Sequence, residues 1–571
     1  MGECRENLRG NRRVAAPAPC SVGRTDPMDL SNLSRPVDVL NAFPSHDYSL
    51  LGFFESRLSS APDRPFILTD ERTMSYRQFA ERVALVATAL AARQVDRGDR
   101  VAVMAGNSEN HALLLFALGR LGAILVPINP GFNVDEARYV LQHAEVCAVA
   151  CSAATLSVAI DACRDMARAP WFVTLGNERT AVVPALDDLL AGLGPSSSVG
   201  AGQPEDTCAI VYTSGTTGFP KGVMHSQRTF CLSAERQLER SWLQRDGRVL
   251  CVLPMFHINA LFYSIGGALA AGVDLVIAPR FSASQFWPLA AKTGATQTSL
   301  LMAAAMILAR RPREEFVGGH RLQIVIGSPV TREIADAFIN DFGVEKMVEG
   351  FGMTEIPGAF GAPVDGPQTV GSMGRPGLHP DHHRQWTEAR VVDDDMRDVP
   401  AATPGELLVR IPTMMQGYFK DPEQTAAAFH EGWFKTGDIV RREHDGTYTF
   451  VTRKKDIIRR RGENIAGSEI DRIVVSHPSV AEAAAVGVSA DIGEEEVLVA
   501  VVLRENATLT ASELRDWCSA RLAAFKVPRY VVFMTKLPYT PTHKLAKHVL
   551  KQHPGLLAGA IDLHNVPQDT H

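Results

Sequence analysis

The segment richest in reactive side chains is YTSGTTGFPKG, running from Tyr212 to Gly222. Within eleven residues it holds three glycines, four Ser/Thr hydroxyls and one lysine. Glycines let backbone N–H groups approach an anion closely, and the hydroxyls of Thr213, Ser214, Thr216 and Thr217 add donors beside Gly215 and Gly218. Lys221 supplies a positive charge. Together these groups suit the cradling of a polyphosphate. The spacing is not that of the Walker loop, in which Gly-Lys-Ser/Thr opens a helix. A plain surface loop is the other reading, since Gly/Ser/Thr runs are common in connections. A second stretch, Val249 to Val273, contains no Asp, Glu, Lys or Arg but carries Pro254, His257 and Asn259 in its middle. A membrane span of about 20 apolar residues would fit there. The interruptions instead read as a buried strand, a functional loop and a buried helix.

The elements around these residues alternate helix and strand. Ser75 to Gln78 reads as a capping box opening a helix with Phe79, Val83, Val86 and Leu90 on one face, and Asn133 to Glu136 opens another. Continuous apolar runs at VAVM (101–104), VCAVAC (146–151), CAIVYT (208–213), RVLCVL (248–253), VDLVIA (273–278) and QIVIG (323–327) read as buried strands. Such runs separated by helices imply a mostly parallel sheet covered on both faces. After about residue 390 shorter alternating strands suggest a small β-rich subdomain, and beyond Arg453 a compact α+β unit appears. The expected fold is therefore α/β: a large N-terminal domain of parallel subdomains plus a small β-rich one, then a small α+β C-terminal domain. Its expected divisions are a disordered leader at 1–30, an N-terminal domain at 31–452, a C-terminal domain at 453–555 and a tail at 556–571.

Composition narrows the function classes. The 571 residues are 46% hydrophobic and 21% charged with net charge −6, ordinary for a globular chain and unsuited to general nucleic-acid binding. Nine cysteines without a CxxC pair suit a reducing, cytoplasmic setting, where thiols act as small core hydrophobes. Cys147 and Cys151 lie in an apolar run and lack the partner pair a metal site needs. Neither a nucleic-acid partner nor an integral membrane span is expected; a homodimer is left open.

TSGTTGFPKG resembles the phosphate loop of the adenylate-forming superfamily: acyl-CoA synthetases, adenylation domains of nonribosomal peptide assembly, and luciferases. Further pieces of that pattern follow in order: PMFH (254–257), GSP (327–329), FGMTE (351–355), GELLVR (405–410), GWFKTGD (432–438), RKKDIIRRRGENI (453–465) and TPTHK (540–544). The resemblance covers about residues 50 to 552. It implies a carboxylate attacking the α-phosphorus of ATP, with pyrophosphate leaving and an acyl-adenylate formed. Residues Thr213 to Lys221 would hold the β- and γ-phosphates. Gly327, Ser328 and Pro329 would contact adenine, and Phe351, Gly352 and Met353 would wall it, with phenylalanine replacing a frequent tyrosine. Thr354 would sit near the α-phosphate, and Glu355, with Thr213, would ligate Mg²⁺. His257 would gate the carboxylate's approach; Asn259, Leu261, Phe262, Met302 and Met306 are weaker pocket candidates. Asp438 would grip the ribose hydroxyls beside Arg453.

For the second half-reaction the same resemblance implies that Lys544 contacts the carboxylate and α-phosphate during adenylation, and that the small domain then swings about a hinge at Lys455. Gly462 would line the pantetheine path. Arg459, Arg460 and Arg461 would suit the phosphates of coenzyme A, and Lys526 in FKVP is another contact candidate. His543 and Arg461 stand where glycine is common, and Gly467 where proline is common. The implied activity is an ATP- and Mg²⁺-dependent acid–CoA ligase. The sequence in hand shows no appended carrier domain, which favours free coenzyme A over a tethered thiol. RRRGEN with a non-glycine TPTxK resembles a bacterial subgroup similar to crotonobetaine/carnitine–CoA ligases. The rivals are a stand-alone enzyme loading a carrier protein and a catalytically silent nucleotide-binding member.

Overall fold

A computed structural model describes residues 35–176, 180, 183–194, 200–213, 220–241, 247–366, 368–460, 463–489, 495–539 and 545–563. Two large sheets organise the N-terminal part. The first has seven strands, in the order Gly417–Tyr418, Lys221–Ser226, Thr207–Thr213, Ile124–Pro127, Arg100–Met104, Ala148–Cys151 and Trp171–Thr174. Its last five strands are parallel, as their unbroken apolar runs require. Strand Lys221–Ser226 instead returns antiparallel, with Thr213 opposite Lys221. The Gly-rich segment thus joins two paired strands and does not open a helix, which separates it from a Walker loop.

The second sheet runs parallel through Pro65–Leu68, Asp274–Ile277, Arg248–Cys251, Gln297–Leu301, Ile324–Ser328 and Lys346–Phe351. It then continues antiparallel through Phe360–Gly361, Ser372–Pro376, Tyr448–Arg453, Trp433–Arg442, Pro404–Arg410 and Glu388–Val392. The β-rich region expected as a separate subdomain is therefore joined to the parallel sheet by an unbroken ladder of strand pairs. Both capping boxes form, at Ser75 with Gln78 and at Asn133 with Glu136.

Helices Leu50–Ser60, Glu109–Leu121, Gln227–Ser241 and Gly266–Ala271 supply the largest apolar core. The uncharged stretch resolves into strand Arg248–Cys251, a loop, a π-helical turn at Asn259–Ile265 and helix Gly266–Ala271, whose residues are all buried. No helix among the described residues is long and apolar enough to cross a membrane. The seven described cysteines are buried and free.

The C-terminal unit is a sheet ordered Val480–Ser489, Glu495–Leu503, Tyr530–Phe533 and Ile561–Asp562, covered by helices Gly467–Val475 and Ala511–Ser519. Within the stretch expected as a tail from 556, Ile561–Asp562 adds a strand to this sheet, and Leu556 and Leu563 are buried. The expected leader at 1–30 lies outside the described residues, as does the end of the tail.

Candidate active site

The parallel strands of the second sheet carry several of the expected site residues at their C-terminal ends, where open α/β sheets bind ligands. Strand Arg248–Cys251 leads to His257, strand Ile324–Ser328 ends in the GSP turn, and strand Lys346–Phe351 runs into FGMTE. Asn107, from the first sheet, fixes the loop before His257. Its amide donates to the carbonyls of Leu253 (2.9 Å) and Ala278 (3.2 Å) and accepts from Met255 N–H (2.8 Å). The ring of His257 lies 4.4 Å from that of Phe256. Leu261 and Phe262 are fully buried in the core, Met306 packs on a second core cluster, and Met302 is exposed. These four side chains are therefore set by packing or by solvent, which weakens them as pocket candidates.

The GSP turn contains a cis Ser328–Pro329 bond. Behind it, Glu349 accepts from Val330 N–H (3.2 Å) and from Gly371 N–H (3.1 Å). Burial pushes the Glu349 carboxyl up to about 7, against those two bonds, which lower it. Gly352 is needed for closeness: a Cβ there would lie 3.1 Å from Gly358 N and 3.4 Å from the Tyr263 hydroxyl.

Thr354 and Glu355 are held from the first sheet. His225, fully buried, donates from Nε2 to the Thr354 carbonyl at 2.7 Å. Burial pushes its imidazole down to about 4, so it stays neutral and keeps that tautomer at physiological pH. The Tyr418 hydroxyl donates to Glu355 Oε1 at 2.9 Å, while Lys221 Nζ lies 4.9 Å from the centre of the Tyr418 ring and donates to Gln424 at 2.7 Å. A small cavity of about 180 Å³ opens here, lined by Lys221, Tyr418, Asp421 and Gln424 among others. Glu355 is buried, and no basic side chain pairs with it among the described residues. A carboxylate so placed beside Lys221 of the Gly-rich segment is a hard oxygen donor that would fit Mg²⁺. Thr213 sits across the strand pair from Lys221, at the mouth of the same segment.

The expected ribose pair is brought together. Asp438 and Arg453 face each other across adjacent strands, with Arg453 Nε 2.6 Å from Asp438 Oδ1, and Asp438 is fully buried. Lys455 follows in the 3₁₀ turn Lys454–Asp456; burial lowers its pKa, with Arg453 adding to the effect and Asp456 and Asp438 opposing it. Its neighbour Lys454 anchors that turn to Glu406 (2.8 Å) and Asp394 (3.0 Å).

Two coenzyme A candidates have other duties in this conformation. Arg460 is not part of a solvated basic run. It is buried, pairs with Glu496 at 2.6 Å, and donates to the carbonyls of Phe525 and Val527 at 2.9 Å each. Lys526 pairs with Glu469 at 2.7 Å. Ser214, Gly215, Thr216, Thr217, Gly218, Gly462 and Lys544 lie outside the described residues, as do Arg461 and His543. Sequence reasoning missed His225, Tyr418, Glu349 and Asn107. Only the burial of polar residues inside apolar strands would have flagged the first and third.

Comparison with known proteins finds matches to both parts of the chain. The family model described as AMP-binding enzyme matches residues 54–419, and that described as AMP-binding enzyme C-terminal domain matches residues 469–544. Sulfoacetate–CoA ligase of Cupriavidus necator is 32% identical over 512 residues, covering 88% of this chain and 98% of that protein. Indoleacetate–CoA ligase of Aromatoleum aromaticum is 32% identical over 504 residues, covering 86% and 95%. Among solved structures, ATP-bound MatB from Rhodopseudomonas palustris superposes with a TM-score of 0.79 at 26% identity, covering 89% of this chain and 98% of that one.

Proposed function

The chain belongs to the AMP-binding enzyme family, and from that premise we propose that it is an AMP-forming acid–CoA ligase. It joins a small carboxylic acid to coenzyme A through an acyl-adenylate and releases AMP and pyrophosphate. The observation that carries this reading is that adjacent parallel strands end in the GSP turn and in FGMTE, and that Tyr418 bonds Glu355 of FGMTE while its ring lies beside Lys221. Relatives named as CoA ligases, matched along nearly their whole length, support the choice of acceptor.

In this reading Lys221 and the Gly-rich segment bind the polyphosphate and orient it for in-line displacement at the α-phosphorus. Asp438 accepts from the vicinal ribose hydroxyls, and Phe351 and the GSP turn sandwich the base. His257 borders the channel through which the carboxylate arrives. Glu355, oriented by Tyr418, holds Mg²⁺, which when bound offsets the charge that grows on the phosphate oxygens. Lys544 counters the repulsion between two approaching anions. Rotation of the C-terminal domain about Lys455 then withdraws it and admits the thiol.

The test is acid-dependent exchange of labelled pyrophosphate into ATP, followed by acyl-CoA formation on adding free coenzyme A. Exchange with some acid, and turnover that requires free coenzyme A, is the expected result. Turnover only with a phosphopantetheinylated carrier protein would replace the ligase by a carrier-loading enzyme. No exchange with any acid would overturn the reading.

A further inference from the structure

Helix Gln227–Ser241 is polar in composition yet buried on almost every face, between the two sheets. Its residues Arg236 and Arg240 are 4% and 6% exposed. Neither has an ion-pair partner among the described residues. Nε and Nη1 of Arg236 and Nε of Arg240 have no hydrogen-bond acceptor. Desolvation lowers the pKa of both guanidiniums, that of Arg236 to about 10, which leaves them charged at neutral pH. Of the nearby acids only Glu239 acts on Arg236, from beyond ion-pair distance, and it offsets part of the desolvation. Glu235 bonds His46 and His379 at 3.0 Å each, and Glu239 bonds His382 at 3.1 Å. Buried unpaired charge is strongly unfavourable, so two such arginines on one helix call for an anion.

Their surroundings connect them to the reacting centre. The side chain of Arg236 occupies the space over Gly358, Gly361 and Gly377, where a Cβ would lie 3.4 Å from its Cγ, 3.4 Å from its Nη2 and 2.8 Å from its Nε. Arg240 fills the space over Gly350 and lies over the ring of Tyr263, 5.6 Å from its centre. Gly358 N–H donates to the Tyr263 hydroxyl at 2.7 Å, and Gly358 is the neighbour that Gly352 approaches within FGMTE. Tyr263 and Asn259 belong to the turn that follows His257, and Asn259 Oδ1 is a further buried atom without a partner. On the arginines' own helix, Ser233 Oγ and both amide atoms of Gln237 are buried and unpartnered. Unmet polar groups thus extend from the His257 turn to the two arginines.

We propose that Arg236 and Arg240 bind a second anionic group, a sulfonate or a carboxylate, at the far end of the acid being activated. The enzyme is then a ligase for short dianionic acids. This rests on the ligase reading above and adds its substrate class. The recognition is of charge: a neutral or cationic group at the same end would leave two guanidiniums buried without a counter-ion.

The experiment compares acids matched in length but differing at the far end. Succinate is set against butyrate, sulfoacetate against propionate, and a trimethylammonio acid serves as the cationic control. Acid-dependent pyrophosphate exchange is measured for the wild-type protein and for Arg236→Met and Arg240→Met. Wild type should prefer the dianionic member of each pair by about 30-fold or more in kcat/KM, the scale of losing a buried charged partner. Each variant should lose that preference mainly through KM for the dianionic acid, with kcat/KM for the monoanionic acid held or raised. The succinate and sulfoacetate arms separate carboxylate from sulfonate. Exchange with monoanionic, aromatic or cationic acids in preference to dianionic ones would overturn this inference and leave the ligase reading intact. An equal loss for both acids in a folded variant would also overturn it. Exchange with no acid at all would remove both. The wild-type ranking decides the matter even if the variants do not fold.

Discussion

Tyr418 reaches Glu355 across 63 residues of sequence, and its hydroxyl is the one described side-chain group that orients the carboxylate expected to hold Mg²⁺. Removing it as Tyr418→Phe keeps the ring beside Lys221 and deletes one hydrogen bond to a charged acceptor, worth roughly 1.5–3 kcal/mol. The variant should need more Mg²⁺ for half-maximal pyrophosphate exchange, with at least a tenfold loss of rate at low Mg²⁺ that saturating Mg²⁺ largely restores. A magnesium titration of both proteins checks this, and superimposable curves would deny Tyr418 its orienting role. His225 acts one step further back, through the Thr354 carbonyl. Its neutral imidazole gives adenylation no titration of its own between about pH 5 and 8.

Strand Lys346–Phe351 carries both the proposed adenine wall at Phe351 and a buried acid, Glu349, that braces the GSP turn. Glu349 titrates near pH 7 in the folded protein against an ordinary 4.5, because burial outweighs its two N–H bonds. A folded-state pKa raised above the unfolded one means this carboxyl's contribution is complete below about pH 4.5. It is lost as pH rises through about 7. The unfolding free energy of the wild type, measured by denaturant melts, should therefore fall between pH 5 and pH 8 by an amount on the order of 3 kcal/mol. In Glu349→Gln that component of the slope should vanish, although the amide accepts only one of the two N–H bonds. Parallel pH profiles for the two proteins would show that the carboxyl is ionised throughout. Helix Gln227–Ser241 teaches a related lesson. Its polar composition suits a solvent-facing helix, yet two sheets cover it, and the unsatisfied groups that result are the ones from which the second anion site is argued.

At the scale of the whole molecule the proposed mechanism makes opposite demands in its two half-reactions, since Lys544 would be present for the first and absent for the second. Lys544→Ala should lower adenylation by about 10²-fold or more while leaving thioester formation from supplied acyl-adenylate within a few-fold. Lys455→Pro should do the reverse, because proline fixes φ and restricts the residue before it in the anchored turn. Rapid-quench measurement of each half-reaction checks both, and equal loss of the two steps in either variant would reject the alternation.

The sequence by itself determined the chemistry and the element types. The Gly-rich segment, FGMTE and KTGD are short, contiguous runs whose spacing carries their meaning. The capping boxes and apolar strands follow from equally local rules, and they form where expected. Tertiary structure alone decided what side chains touch: Tyr418 on Glu355, His225 on Thr354 across 129 residues, Arg460 turned inward to Glu496, and two buried arginines with no ion-pair partner among the described residues. The reason is physical. Burial and pairing are sums over segments that meet only when the two sheets close on the helix between them, and no local window of sequence contains both sides of such a contact.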